Sequence, residues 1–268
     1  GTAVSSGDNL PVSPPNPFTT GSFDRVFHVD LDPGTPQSPP LPTGNSIGVN
    51  FGADRADAAL APGDSAGVIP QANWNNAANA SGSITGAMSN SGAATGVDVR
   101  WTTQESWSLG NAAATPDGTL MKGWVAVQSS TNPSNISISG IPYSMYDLYF
   151  YVGHDRNSED VRITEAGGAF ADFVAIEDVD GGDLGATPFF YKLIQESGAA
   201  GNYFRIPGLT LSSLSIDFYT EGDDRGPISG LQIVEVQPQG DIPEPMTMAL
   251  LGVAVGGLGG YIRRRRAA

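Results

Sequence analysis

Tyr146-Asp147-Leu148-Tyr149-Phe150-Tyr151-Val152 is the stretch that decides the fold. Tyr146, Leu148, Phe150 and Val152 fall on one face of an extended chain, and Tyr149 and Tyr151 fall on the other, because successive strand side chains point to opposite faces. Aromatic residues suit a pleated, packed surface. This is the strongest strand of the chain.

The same period-two alternation recurs on both sides of it. Upstream, Ile47, Val49 and Phe51 form one expected strand. Val97, Val99 and Trp101 alternate with Asp98, Arg100 and Thr102, and Trp124 to Val127 and Ile136 with Ile138 follow. Downstream come Val161 with Ile163, 173–176, 189–193, 203–206, the series Leu209, Leu211, Leu214, Ile216 and Phe218, and 228–236. Gly, Asn, Asp and Pro separate these runs, as turns require. Roughly ten short strands of this kind predict a mainly β fold, an antiparallel β-sandwich of jelly-roll type. Only 72–80 suggests a turn or two of helix before residue 246.

Composition agrees. Of 268 residues, 35 are Gly and 20 are Pro, and only 15% are charged. That is a strand-and-turn composition. The net charge is −15, and residues 1–240 carry nine Lys/Arg against twenty-six Asp/Glu, or −17. With no basic patch to neutralise phosphates, nucleic acid is excluded as a partner. The chain has no cysteine, which removes disulfides, thiolate catalysis and Cys-bound zinc.

The expected organisation has five parts. Residues 1–46 form a Pro/Ser-rich arm in which Phe27, Val29 and Leu31 suggest a short strand. Residues 47–238 form the sandwich. Residues 239–245 are a linker containing Pro243-Glu244-Pro245. Residues 246–262 form an uncharged apolar segment, and 263–268 carry Arg263, Arg264, Arg265 and Arg266. Seventeen uncharged residues reach the lower limit for a transmembrane helix. Arginines just past such a run stay on the cytoplasmic side. The expected topology is one C-terminal transmembrane helix with the sandwich outside the inner membrane, periplasmic or at the cell surface. Gly252, Gly256 and Gly260 lie on one ridge of that helix, spaced for close helix packing in lipid. The polar start at Gly1-Thr-Ala-Val-Ser-Ser shows no export signal, which is expected to have been removed already.

The tail resembles the PEP-CTERM sorting signal of Gram-negative envelope proteins. The resemblance rests on Pro243-Glu244-Pro245, Met-Thr-Met-Ala-Leu-Leu-Gly at 246–252, the Gly-rich span and the Arg cluster. It implies that an exosortase recognises Pro243, Glu244 and Pro245 during sorting, with these residues as substrate rather than catalyst. The body resembles the jelly-roll, galactose-binding-like ectodomains of PEP-CTERM proteins. That likeness rests on Ile47-Gly-Val-Asn-Phe51, Ala66-Gly-Val-Ile-Pro70 with Trp74-Asn75-Asn76, Gly140-Ile-Pro142 leading to Tyr146, and Ile228-Ser-Gly-Leu-Gln-Ile233.

Three sets of residues are candidate sites. Asp178, Asp180 and Asp183, with Glu177, place alternate carboxylates in a Gly turn, which suits Ca²⁺ and equally an acidic hairpin turn. Asp30 with Asp32, and Glu221 with Asp223 and Asp224, are weaker versions. Trp74 and Trp107, with Asn73, Asn75 and Asn76, could stack and hydrogen-bond a glycan, while Trp101 and Trp124 are expected in the core. His154-Asp155-Arg156 follows the strongest strand, but a neighbouring His and Asp do not make a catalytic constellation, and His28 is the other histidine. The expectation is a non-catalytic protein of structural or adhesive role in matrix, envelope or filament. The alternatives are an accessory subunit that keeps its helix and caps a membrane-protein complex, a Ca²⁺-dependent glycan-binding module, and a carbohydrate-active enzyme. Expected partners are the membrane, the exosortase, other membrane-protein subunits, further copies or extracellular polysaccharide.

Overall fold

Most of the expected strands form, and their pairing sorts them into three sheets. The computed structural model describes residues 45–237 apart from 112, 157, 179–182, 186–188 and 223–224. Residues 1–44 of the N-terminal arm, Pro243-Glu244-Pro245, the segment 246–262 with Gly252, Gly256 and Gly260, and Arg263 to Arg266 lie outside the described residues. No helix among the described residues is long and apolar enough to cross a membrane.

In chain order the strands are β1 (Ser46–Phe51), β2 (Asn75–Ala77), β3 (Ser81–Ile84), β4 (Asp98–Thr102), β5 (Glu105–Ser108), β6 (Gly123–Val127), β7 (Ser134–Ser139) and β8 (Tyr146–Tyr151). They continue with β9 (Asp160–Glu165), β10 (Phe173–Glu177), β11 (Ala200–Gly201), β12 (Tyr203–Leu209), β13 (Ser213–Tyr219), β14 (Gly226–Ile228) and β15 (Gly230–Glu235). One sheet has the order β12-β8-β15-β1-β2, a second β11-β10-β9-β13-β7-β4-β3, and a small third sheet β14-β6-β5.

The two large sheets share one core. Val49, Phe51, Leu148, Phe150, Leu231 and Ile233 of the five-stranded sheet meet Val99, Trp101, Ile136, Ile163, Ile216 and Phe218 of the seven-stranded sheet in a single buried cluster. Phe51 packs edge-on to Trp101 at 5.9 Å between centroids, and Phe204 stacks between Phe150 and Phe173. Packed inner faces of this kind make a β-sandwich. Most pairs are antiparallel, but β2 lies parallel to β1 and β11 lies parallel to β10, so the sheets are not purely antiparallel.

A second apolar layer covers the outer face of the five-stranded sheet. Tyr149, Tyr151 and Val234 project into it and meet Leu60, Trp74, Leu120, Met121 and Leu184. Helix α1 (Pro116–Lys122) belongs to this layer. Its start is well built: Thr115 Oγ1 accepts the Gly118 N–H at 3.1 Å and Pro116 opens the first turn, the capping and proline placement that helix starts favour. Lys122 at its end is buried, and its Nζ reaches out to the Asp57 carboxylate at 2.6 Å.

Three local expectations fail. Residues 72–80 are not helical: Asn75–Ala77 is β2, fixed beside β1 because Asn75 Nδ2 donates to Gly48 O and Asn76 Oδ1 accepts from Asn50 Nδ2. Residues 189–193 are not a strand, and only Leu193 bridges to Tyr203. Tyr191 is instead committed to the outer layer, where its hydroxyl donates to Asp117 Oδ1 at 2.7 Å. The series begun at Leu209 is split, because Leu209 closes β12 and β13 starts at Ser213.

Candidate functional site

The small third sheet places two side chains on one wall of a polar cleft. In β5 the period of two puts Glu105 and Trp107 on the same face, with Trp107 opposite Trp124 of β6. Arg225 leads into β14 on the far side of β6, and Asp155 and Arg156 come from the loop after β8. Together Glu105, Trp107, Asp155, Arg156 and Arg225 line a cleft of about 240 Å³. Trp107 is 56% exposed, whereas Trp74, Trp101 and Trp124 are buried.

Beneath the cleft sits His154, fully buried, its ring against Trp124 at 4.4 Å. Arg225 fixes the arrangement from three directions. Its Nε donates to Glu105 Oε2 at 2.8 Å, its backbone N–H donates to Glu159 Oε2 at 3.1 Å, and its Nη1 stands 3.4 Å from His154 Nε2. A guanidinium offers only donors, so His154 Nε2 is the acceptor and the ring proton lies on Nδ1. That proton faces Asp155 Oδ1 at 2.5 Å and Glu159 Oε1 at 3.3 Å. Asp155 is the nearer of the two carboxylates to that nitrogen, and its charge attracts the ring N–H. Burial pushes the His154 value down to about 4; the Asp155 charge opposes this, and the Arg225 and Arg156 charges add to it. The imidazole is therefore neutral at pH 7.

His154 Nδ1, Asp155 and Glu159 offer ligand atoms within 4.8 Å of one another, a grouping compatible with one metal ion. The second nitrogen argues against it. A ligating histidine donates its other N–H to an acceptor, and here that position faces a guanidinium. The trio fits a neutral buried histidine that props up the cleft floor better than it fits a cation.

The sequence-predicted sites fare differently. Trp107 stands at the cleft. Trp101 and Trp124 are core residues, as expected. Trp74 is corrected: it is buried, and its indole N–H donates to Gln71 O at 3.0 Å and Ala66 O at 3.3 Å. It lies flat against β1 because Gly48 has no side chain, and a Cβ there would stand 2.6 Å from the ring. A glycine inside a strand is a sign of such close approach. Asn73, Asn75 and Asn76 edge a second depression of about 420 Å³ with Leu60, Pro62, Ile84 and Met88. Their amides bind backbone there. Asn75 takes both polar groups of Met88, and Asn76 takes both polar groups of Leu60.

Of the acidic run, Asp178 pairs with Lys192 and Asp183 is exposed in a short 3-10 turn (Asp183–Gly185), while Asp180 lies outside the described residues. Glu221 pairs with Arg162. Glu105, Glu159 and Arg225 escaped sequence reading. They are isolated charges far apart in the chain, with no motif to join them.

No protein-family model and no curated protein matches the chain. Among solved structures, a crystal structure of exo-beta-1,3-galactanase from Phanerochaete chrysosporium with galactose is similar at a TM-score of 0.28 and 10% identity, over 59% of this chain and 30% of that one. The chain thus spans less than a third of that structure, and a likeness this distant carries no argument.

Proposed function

We propose that this chain is an exported, non-catalytic surface or envelope protein, sorted through a PEP-CTERM tail, with a structural or adhesive role in matrix, envelope or filament. The single observation that carries the reading is the ordered set Pro243-Glu244-Pro245, uncharged 246–262 and Arg263 to Arg266. A neutral span followed by arginines inserts with those arginines in the cytoplasm, which leaves the sandwich outside. The acidic, cysteine-free composition suits such a domain, whose solubility rests on charge and whose stability rests on its core. On this reading the sandwich is of jelly-roll type and 246–262 is a membrane helix.

A second reading rests on Gly252, Gly256 and Gly260. If the helix persists and packs through that ridge, the protein is an accessory subunit whose sandwich caps a membrane-protein complex on the periplasmic side. Intact-mass measurement of the natural protein separates the two. A chain ending before Met246 supports sorting and release or transfer. A chain retaining 246–262 in purified membranes supports the subunit. A protein found in the cytoplasm would overturn both.

A further inference from the structure

We propose that the cleft between β5, Arg225 and the loop after β8 binds an acidic saccharide, one uronate ring seated on Trp107 with its carboxylate on Arg156. The inference deepens the surface role above by naming a ligand for it, and it rests on that role only for where the ligand is met.

Three observations converge. The first is Trp107, the exposed one of four tryptophans. It stands at the wall of a cleft whose other lining groups are all charged. A pyranose has the matching split character: C–H bonds on its face for an aromatic plane, and hydroxyls on its edge for carboxylates and guanidiniums. At about 240 Å³ the cleft is smaller than the pockets that enclose drug-sized ligands, roughly 300–1,000 Å³. It suits one ring of a longer chain whose neighbours run out into solvent.

The second is the state of the four charges. Glu105 is held by Arg225 and by Gln128 Nε2. Asp155 is held against His154, a neutral imidazole that gives its charge no counterion. Arg156 is exposed and makes no ion pair with a described side chain, yet its charge reaches His154. Among the described residues it is the unpaired cation of the cleft, and a guanidinium takes a carboxylate in a two-point fork.

The third is the setting. The chain carries −15 overall, so a polyanion is repelled in general. Two guanidiniums stand among the cleft's lining groups beside the carboxylates of Glu105 and Asp155, so an acidic chain meets cations there that the acidic surface at large does not offer. The buried His154, wedged between Trp124, Arg225, Asp155 and Glu159, holds the start of the loop in place before any ligand arrives, which lowers the ordering cost of binding.

The test titrates the purified full-length protein with trimers of galacturonate, mannuronate, guluronate and glucuronate. Neutral galactotriose and glucotriose serve as counterparts, with calorimetry and tryptophan fluorescence as readouts. At least one uronate trimer should bind and change the emission of Trp107, with affinity falling as NaCl is raised. Trp107→Ala should weaken it about tenfold or more, and Trp107→Phe should recover part of the loss. Arg156→Gln should remove the preference for the acidic over the neutral trimer, and with it the salt dependence. Unchanged thermal midpoints would show that all three variants fold. Failure of every uronate to bind, equal affinity for neutral and acidic trimers, or full binding by Trp107→Ala would each overturn the proposal. Localisation plays no part in these titrations, so they stand or fall separately from the export reading.

Discussion

Strands β8 and β13 look alike in sequence and live in different surroundings. All six residues of β8 are buried, while in β13 burial alternates, with Leu214, Ile216 and Phe218 inside and Ser215, Asp217 and Tyr219 only partly covered. Both strands sit inside their sheets. The difference is that the five-stranded sheet is packed on both faces, by the shared core and by the layer of α1 and the loops, whereas the seven-stranded sheet turns one face toward water. Two-sided burial forces polar groups on the covered face to find partners. Tyr151 accepts the Val68 N–H and donates to Gln232 Oε1, both at 2.9 Å, and Gln232 Nε2 donates to Ile69 O and to Gln71 Oε1, both at 2.8 Å. Gly67 lets the loop close over that hydroxyl, because a Cβ there would stand 3.0 Å from it, at a φ of +97°. On the open face of the other sheet, Asn135 Nδ2 reaches Asp217 and Ser215 in partial exposure, where water is a ready substitute.

The two faces of β8 should respond alike to truncation. Phe150→Ala on the inner face and Tyr151→Ala on the outer face should each cost about 3–5 kcal/mol in urea unfolding, since both empty a filled site. A cost below 1 kcal/mol for Tyr151→Ala would mean that the outer layer is not a core. The next effect lies just past the end of β8, at His154. With its value lowered to about 4 from 6.5, the unfolded state binds the proton first. Stability is therefore full above pH 6.5 and falls as pH drops toward 4, by about 3 kcal/mol. His154→Gln should flatten that part of the profile.

Along β13 the costs should alternate. Ile216→Ala should cost about 2–4 kcal/mol, and Ser215→Ala, its neighbour on the open face, should stay within about 0.5 kcal/mol. Equal costs would sink the one-sided description. Smallest of all, Trp107→Ala should leave the unfolding midpoint in place, because a side chain 56% exposed on the edge strand β5 holds little together.

Much of the sandwich was legible because alternation is a local property. Ile47 to Phe51, Val97 to Trp101, Ile136 with Ile138, and Tyr146 to Val152 each declare a face within a few residues. Helix α1 was not legible. Seven residues are too few to display a period of 3.6, although Thr115, Pro116, Asp117 and Lys122 spell its start and end. Strand β3 (Ser-Gly-Ser-Ile) was hidden because its first three residues are exposed and carry no apolar pattern. Trp74 was misread because its burial depends on Gly48, twenty-six residues earlier in strand β1. The cleft was half legible: an exposed tryptophan and a His-Asp-Arg run could be singled out, but not their meeting.

Sequence alone settled the β class, the positions of most strands and the acidic, cysteine-free character. These follow from spacing, composition and order along the chain. Tertiary structure alone decided which sheet is covered twice, which tryptophan meets solvent, and that Glu105, Asp155 and Arg225 face one another across a cleft. The reason is physical: alternation says that a strand has two faces, but what covers each face, and which distant charges are brought together, is fixed only when the sheets and loops pack.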